Sequence, residues 1–196
     1  MIKIINSINE NGWIHVPDVI KTASLTSINE FFNSHSQDFS PALVGKGNER
    51  IRVNEIRGDH TYWLDTIEPP GPFKEIINFL EELKQGLNRD LFLGLKEFEC
   101  HLARYEKGSF YKKHYDRFEH DSSRAISFVF YLHEEWNPED GGELVLFDKN
   151  EQVLKVINPL PGSFVCFLSA EFPHEVRPSL IERRSLTGWI HTKIIN

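Results

Sequence analysis

Apolar residues recur at helical spacing in two stretches of the first half of the chain. The first stretch is SLTSINEFFNSH (24–35), and the residues on its apolar face are Leu25, Ile28, Phe31 and Phe32. The second is PFKEIINFLEELKQGLN (72–88), and its apolar stripe consists of Phe73, Ile76, Ile77, Leu80, Leu83 and Leu87. Pro72 suits the start of a helix, where its fixed φ is favourable and no hydrogen bond is lost. The pattern therefore predicts one helix over each stretch.

Elsewhere in the first half the pattern is mixed. WIHVPDVI (13–20) is strand-like as far as Pro17, and TYWLD (61–65) is typical of a short strand. Residues 45–60, GKGNERIRVNEIRGDH, combine glycines with many charged residues and follow neither period. They favour a long exposed loop or a mobile hairpin.

After residue 95 the pattern changes to short apolar runs separated by turn residues such as NPEDGG and NPLPG. The runs are FECHLARY (98–105), SFYKKHYD (109–116), RAISFVFYL (124–132), GELVLFD (142–148), QVLKVIN (152–158), GSFVCFLS (162–169) and RRSLTGWI (183–190). Seven short strands at this spacing indicate a β-sandwich or an open barrel. Helices that precede the strands then cover one face, which is an α+β arrangement made mainly of β-structure.

Length and composition favour one globular domain over residues 1–196, in which 1–95 pack on a core formed by 96–196. Hydrophobic residues make up 40% and charged residues 26% of the chain, as in average globular proteins. The formal net charge of −7 argues against a sequence-independent nucleic-acid binder. Cys100 and Cys166 lie in apolar stretches, so we expect buried, reduced thiols, which suits the cytoplasm.

Neither targeting nor membrane insertion is indicated. The N-terminus lacks the continuous apolar region and the small-residue cleavage site of a secretory signal. The longest strongly apolar run, AISFVFYL (125–132), is too short to cross a bilayer as a helix. We therefore expect a soluble cytoplasmic protein with no direct nucleic-acid or membrane partner.

His114 and Asp116, in YKKHYDRF, are separated by one residue. On a strand, side chains two positions apart project to the same side, so both can reach one metal ion. A two-histidine, one-carboxylate triad holds Fe(II) with open positions, and His174 in SAEFPHEVRP is the best-placed third ligand. An HxD pair alone also occurs by chance. The other histidines are expected to be surface or hydrogen-bonded core residues, and they include His101, His120 and His133.

The run RRSLTGWI supplies a second candidate group. The residues of one parity are Arg183, Ser185, Thr187 and Trp189. Two interpretations remain open: an edge strand with solvated Arg183 and Arg184, or a pocket in which a guanidinium and a hydroxyl bind a small carboxylate. Tyr131 favours the pocket, because it can project from a central strand beside the arginine. Fe(II), one aspartate and a dianionic keto acid leave one negative charge, which one arginine neutralises.

These motifs together resemble the iron- and 2-oxoglutarate-dependent prolyl 4-hydroxylase superfamily, and most closely the hypoxia-sensing prolyl hydroxylases and their bacterial relatives. The resemblance covers about residues 50–190 in order. The matching motifs are EIRGDHTYWLD, LARYEKGSFYKKHYD, SFVFYLHEEW, GGELVLF, FPHEV and RRSLTGW. It implies a double-stranded β-helix of the jelly-roll or cupin type, with supporting N-terminal helices.

The resemblance also implies residue roles. The iron ligands are His114, Asp116 and His174, and the catalytic set adds Arg183, which binds the distal carboxylate of 2-oxoglutarate. Further cosubstrate contacts are assigned to Tyr131, Tyr105 and Thr187, and substrate contacts to Arg124, Trp189 and Tyr111. Arg184 is the alternative candidate for binding this carboxylate, but Arg183 is favoured because it shares its parity with Thr187 and Trp189.

The implied reaction is 4-hydroxylation of a prolyl residue in a protein substrate, with decarboxylation of 2-oxoglutarate to succinate. Fe(II), 2-oxoglutarate and O2 are required, and ascorbate is the expected reductant. The translation machinery is one candidate partner that presents a proline-containing loop. Residues 45–60 either close over the substrate or form an ordinary surface loop. The alternatives are the same chemistry on a non-protein small molecule, a catalytically silent β-helix binding module and a zinc protein.

Overall fold

The computed structural model describes residues 1–43, 51–53, 55–117 and 123–195. Its α-helices are α1 (Ile2–Asn11), α2 (Thr22–Ser34) and α3 (Lys74–Leu91). Its strands are β1 (Trp13–Val16), β2 (Ser40–Pro41), β3 (Asp59–Trp63), β4 (Glu97–Tyr105), β5 (Tyr111–His114), β6 (Arg124–Tyr131), β7 (Leu144–Phe147), β8 (Val153–Ile157), β9 (Phe164–Leu168), β10 (His174–Val176) and β11 (Arg183–His191).

The strands form two antiparallel sheets. The larger has seven strands in the order β1-β9-β6-β11-β4-β3-β2, and the smaller has four in the order β5-β10-β7-β8. Strands far apart in sequence are neighbours in both sheets, as in a jelly roll. The fold is the double-stranded β-helix that the resemblance implies, with helices before most of the strands.

The two faces of the large sheet bury different residues, because side chains alternate along each strand. On the outer face, Phe128 and Phe130 of β6 belong to the same core cluster as Leu80 and Leu83 of α3. On the inner face, residues of the large sheet cluster with residues of the small sheet, including Ala103, Val129, Val165, Leu144, Leu146 and Val176. A slip of one residue would exchange the two faces, so this alternation fixes the register.

Gly188 allows β11 to lie close to its neighbour β4. A Cβ atom at this position would overlap the Glu99 carbonyl oxygen and lie 2.7 Å from Phe128 Cζ and 2.8 Å from Cys100 Cα. Gly188 is thus needed for close backbone approach beside Trp189.

Most predicted elements are present with small shifts of their ends. The helices predicted at 24–35 and 72–88 are Thr22–Ser34 and Lys74–Leu91, the latter preceded by a 3₁₀ turn at Gly71–Phe73. The strand predicted at 61–65 is Asp59–Trp63. Cys100 and Cys166 are buried and free, as expected. Part of the predicted loop 45–60, and His120, lie outside the described residues.

Among the described residues, one α-helix and two strands were not predicted from the sequence. They are α1, β2 and β10. Ile4, Ile5 and Ile8 of α1 are buried, and Gly12, in the left-handed conformation, caps the C-terminal end of α1. Strand β10 has three residues, too few for alternation to be recognised.

Candidate active site

Three potential metal ligands converge between the two sheets. His114 Nε2 lies 3.5 Å from Asp116 Oδ1, and His174 Nε2 lies 3.5 Å from Asp116 Oδ2. The ligand atoms of the three side chains all lie within 4.8 Å of one another. Atoms that each bind one ion at about 2.0–2.2 Å have comparable separations, so the three side chains fit a single metal ion.

Asp116 does not lie on the same strand as His114, contrary to the prediction from their spacing. His114 is the last residue of β5, and Asp116 lies two residues beyond the strand end, in a bend. The two side chains therefore do not reach the site by projecting from one strand. Asp116 is held instead by Ser127, whose Oγ donates to Asp116 Oδ2 at 2.7 Å. The Oγ atoms of Ser127 and Ser169 are 2.8 Å apart.

Both histidine rings are oriented by main-chain carbonyl groups. His114 Nδ1 lies 2.7 Å from the Lys112 carbonyl oxygen, and His174 Nδ1 lies 3.1 Å from that of Phe172. A carbonyl oxygen only accepts, so each Nδ1 carries the proton and donates. Each Nε2 is then unprotonated, and its lone pair points toward Asp116. Histidines that bind metal ions are commonly held in this way, by a hydrogen bond from the other ring nitrogen to a carbonyl oxygen.

The charge states of Asp116 and His174 suit metal binding. Burial opposes ionisation of Asp116, but His174, His114 and Ser127 outweigh it and hold its pKa well below the usual range. Burial lowers the pKa of His174 to about 4, although Asp116 opposes the shift. At neutral pH the carboxylate is ionised and the imidazole is neutral, which are the forms that bind metal ions.

A stack of side chains supports His114 from the side of β3. The Tyr111 ring stacks on His114 with 3.6 Å between centroids, and the Arg57 guanidinium lies 4.3 Å from the centroid of the Tyr111 ring. Arg57 donates to both carboxylate oxygens of buried Asp59, at 2.7 and 2.6 Å. Neither Arg57 nor Asp59 was identified from the sequence, although both lie in the motif EIRGDH.

Arg183 is buried at the other end of the same pocket, with 2% of its surface exposed. Its Nε donates to the Gly142 carbonyl oxygen at 3.0 Å, and its Nη1 donates to Ser185 Oγ at 3.3 Å. The guanidinium lies 5.0 Å from the Tyr105 ring centroid and 5.2 Å from that of Tyr131. These contacts, all in the described part of the chain, are to neutral groups, so the buried cation suits an anionic ligand.

Tyr131 adds a second polar group at this end. Its hydroxyl is buried without a hydrogen bond of normal geometry to the described residues. Burial raises its pKa, and Arg183 opposes part of the shift. A neutral hydroxyl beside a guanidinium can donate to a carboxylate oxygen.

Arg184 lies on the opposite face of β11 and does not enter the pocket. Its guanidinium donates to Asn29 Oδ1 at 2.9 Å, Asn33 Oδ1 at 3.0 Å and Glu182 Oε1 at 2.6 Å. Strand β11 is central, between β6 and β4, so the interpretation of an exposed edge strand is wrong. Both faces of β11 are covered: Arg183 lies on the face toward the pocket, and Leu186 and Ile190 lie on the opposite face, in the core shared with the helices.

One pocket joins the two groups. Its lining includes His114, Asp116, His174, Arg183 and Thr187, and it has a volume of about 50 Å³. The Thr187 hydroxyl donates to the Phe128 carbonyl oxygen at 3.0 Å. Tyr105 pairs with Arg183 across β4 and β11. The three candidate metal ligands and a buried cation with no carboxylate partner among the described residues therefore share one space between the sheets.

Trp189, which lines the pocket, has a cation stacked on its ring. The Arg124 guanidinium lies 3.5 Å from the Trp189 ring centroid. Its Nη2 donates to Glu99 Oε1 at 3.3 Å, and its Nη1 donates to the Asp116 carbonyl oxygen at 3.3 Å. Trp63 lies beside Trp189, with 6.5 Å between ring centroids. Trp63 was not assigned to the site from the sequence, because only the pairing of β3 with β4 brings it there.

The fold and the site define a class of protein, and sequence comparison agrees. The model of the 2OG-Fe(II) oxygenase superfamily matches residues 100–191. A prolyl-4-hydroxylase from Pseudomonas putida is 33% identical, covers 98% of both chains and superposes with a TM-score of 0.86. The chain belongs to the 2OG-Fe(II) oxygenase superfamily.

Animal prolyl hydroxylases are also similar. A prolyl hydroxylase from Trichoplax adhaerens, solved with a peptide fragment of the hypoxia inducible factor oxygen degradation domain, is 27% identical. It covers 96% of this chain and 87% of that one, with a TM-score of 0.79. The hypoxia-inducible factor prolyl hydroxylase of Caenorhabditis elegans is 28% identical over 97% of this chain. The chain spans 28% of that relative's length. In the described residues, no helix is both long and apolar enough to cross a membrane.

Proposed function

We propose that the protein is an Fe(II)- and 2-oxoglutarate-dependent dioxygenase that hydroxylates a prolyl residue of a protein substrate at the 4-position. The observation that carries the proposal is the pocket that joins the triad to buried Arg183. Similarity to prolyl hydroxylases over nearly the whole chain supports the choice of a prolyl substrate. Residues 1–196 are treated as a single catalytic domain.

His114, Asp116 and His174 would hold the iron. When bound, Fe(II) with 2-oxoglutarate would supply the activation of dioxygen. One oxygen atom would be used to oxidise the keto acid to succinate and carbon dioxide, and the other would be inserted into a C–H bond of the substrate. The protein orients the ligands through the Lys112 and Phe172 carbonyl groups and through Ser127. Three ligands leave open positions for a cosubstrate and dioxygen.

Arg183 and Tyr131 would bind the distal carboxylate of 2-oxoglutarate, and Tyr105 and Thr187 would line its length. A charge-assisted hydrogen bond from Arg183 neutralises the buried carboxylate, and the Tyr131 hydroxyl offers a second donor. The charge balance favours a dianionic ligand, since metal and arginine together bring three positive charges against Asp116. Zinc alone would fit the triad, but it gives Arg183 no role.

Arg124, Trp189 and Tyr111 would contact the substrate. Trp189 offers an apolar wall at the opening, held by Arg124 stacked on its face. Tyr111 borders the metal site from the side of β5. A protein partner with a proline-containing loop fits an opening lined by aromatic rings, and the translation machinery remains a candidate source. Ascorbate as reductant and a cytoplasmic location belong to the same proposal.

Reconstitution tests the function directly. The protein is loaded anaerobically with Fe(II), given 2-oxoglutarate and oxygen, and assayed for succinate, while mass spectrometry screens candidate proteins for one added oxygen atom on proline. Succinate together with hydroxyproline supports the proposal. Succinate with oxygen added only to small molecules would move the activity to a non-protein substrate, and no succinate would indicate a silent binding module or a zinc protein.

A further inference from the structure

His101 lies in the middle of the pocket wall, on the inner face of β4. It pairs with Thr187 of β11 on one side and with Trp63 of β3 on the other. Its ring centroid is 4.7 Å from that of Trp63 and 5.7 Å from that of Trp189. We call these three residues, Trp63, His101 and Trp189, the ring cluster. His101 lines the pocket and is 2% exposed.

Neither ring nitrogen of His101 has a hydrogen-bond partner among the described residues. The indole Nε1 of Trp189 is unpartnered in the same way. Buried polar atoms nearly always have partners, because leaving them without one costs free energy. His133, outside this pocket, accepts from the Arg184 amide at 3.0 Å, whereas both ring nitrogens of His101 lack a partner among the described residues. His101 is therefore better suited to a ligand in the pocket.

The neighbouring charges favour a neutral ligand at His101. Arg57 is paired with Asp59, and Arg124 donates to Glu99, so neither cation requires an anion from outside. Burial, with Arg57, lowers the pKa of His101 to about 4, so the imidazole is neutral at pH 7. A neutral imidazole has one N–H donor and one acceptor nitrogen. This pair complements a peptide main chain, which offers a carbonyl oxygen and an amide N–H.

The position separates His101 from the cosubstrate end. Arg183 pairs with Tyr105, and His101 lies four residues before Tyr105 on β4, beside the rings of Trp63 and Trp189. The faces of Trp63 and Trp189 suit the C–H groups of a pyrrolidine ring. Trp63 is 47% exposed, so part of its surface is free to contact a ligand that enters.

We propose that His101 is a specificity-determining residue of the substrate pocket, whose N–H donates to a main-chain carbonyl oxygen beside the target proline while Trp63 and Trp189 pack against that segment. The proposal rests on the proposed function. It adds a polar contact and one further aromatic wall that the prolyl substrate would meet.

Two variants separate this role from packing. His101→Phe keeps a flat ring and removes both nitrogens, whereas His101→Gln keeps a donor and an acceptor. His35→Phe is the control, since His35 stacks on Phe31 at the end of α2, outside the pocket lining. Replacing unsatisfied polar atoms with an apolar ring is neutral or stabilising, so the melting temperature of the ligand-free His101→Phe variant should not fall. A structural histidine would give a lower melting temperature.

The probe is a library of capped pentapeptides with a central proline, assayed on the Fe(II)-loaded protein. For each variant we would measure succinate formation without peptide, called uncoupled turnover, and the KM for 2-oxoglutarate. The peptide KM is measured with the peptide that most increases succinate formation by the wild type. We expect His101→Phe to raise the peptide KM about tenfold, as for one lost hydrogen bond, with His101→Gln between it and the wild type. The KM for 2-oxoglutarate should rise much less than the peptide KM, and uncoupled succinate formation should persist.

Other results overturn the proposal in distinguishable ways. An unchanged peptide KM in His101→Phe shows that His101 makes no substrate contact, and an equal rise in the KM for 2-oxoglutarate moves it to the cosubstrate. A peptide KM that rises equally in both variants, with a lower melting temperature, shows a structural role. Uncoupled turnover without hydroxylation of any library peptide removes the prolyl ligand proposed for His101, whereas no turnover at all contradicts the proposed function itself.

Discussion

His174 lies directly opposite His114 in the antiparallel pairing of β10 with β5, and their ring centroids are 4.3 Å apart. The two residues are distant in sequence, and this one pairing brings both Nε2 atoms to Asp116. The two candidate histidine ligands therefore come from the smaller sheet, whereas the cation at the other end of the pocket, Arg183, comes from the larger sheet.

Loss of a metal ligand should abolish turnover without unfolding the protein. His114→Ala removes one of the three proposed metal ligands. Because the His114 side chain is not fully buried, its loss should cost little stability. We expect no succinate and greatly weakened Co(II) binding by calorimetry, with circular dichroism unchanged. Lys113→Ala is the matched control, since Lys113 lies next to His114 on β5 and pairs with Glu151. Full activity in His114→Ala would show that His114 is not a ligand.

Removal of Arg183 should weaken cosubstrate binding selectively. A charge-assisted hydrogen bond contributes about 1.5–3 kcal/mol. Arg183→Ala is therefore expected to raise the KM for 2-oxoglutarate on the order of 10- to 100-fold. The matched control is Arg184→Ala, which removes the same side chain from the opposite face of β11. A larger rise in the control than in Arg183→Ala would reverse the assignment.

The metal-free protein should lose stability as pH falls from about 6.5 toward 5. Burial lowers the pKa of His101 to about 4 and that of His133 to about 3. Between these values and the ordinary 6.5, the unfolded chain binds protons that the folded protein does not, so acid favours unfolding. Thermal melts across this range should show a falling melting temperature, and the fall should be shallower in His101→Phe. A flat profile would contradict the neutral, buried state of both rings.

Gly188 should not tolerate a side chain. In Gly188→Ala the new methyl group would overlap the Glu99 carbonyl oxygen and crowd Phe128. We expect a loss of about 1–3 kcal/mol in the free energy of unfolding, measured with urea. Gly71→Ala is the control, because a Cβ at Gly71 meets no atom within 4 Å. Equal stability of the two variants would show that β11 and β4 can separate.

Much of the fold was predictable from local pattern. Alternation in RRSLTGWI and ISFVFYL placed Arg183 and Tyr131 on the same inner face, because strand parity is a local property. The C-terminal end of β5 was less predictable. The pattern predicts a strand over 109–116, whereas β5 ends at His114, before Asp116. Asp116 depends on Ser127, a residue of another strand.

The ring cluster could not be predicted, because it depends on tertiary pairing. Trp63, His101 and Trp189 belong to three strands, and only the registers of β3, β4 and β11 bring them together. His101 in particular was expected to be a surface or hydrogen-bonded core residue, whereas it is buried with both ring nitrogens unpartnered among the described residues. Nothing in its neighbours in sequence distinguishes these cases.

The most direct test of the proposed prolyl hydroxylation measures whether the consumption of 2-oxoglutarate is coupled to the insertion of oxygen into a prolyl residue. The Fe(II)-loaded protein is incubated with isotopically labelled dioxygen, 2-oxoglutarate and a proline-containing protein or peptide. The masses of the products are then measured by mass spectrometry. We expect one labelled oxygen atom in succinate and one on C4 of a prolyl residue, both absent in His174→Ala. Unlabelled products, or equal labelling in His174→Ala, would contradict it.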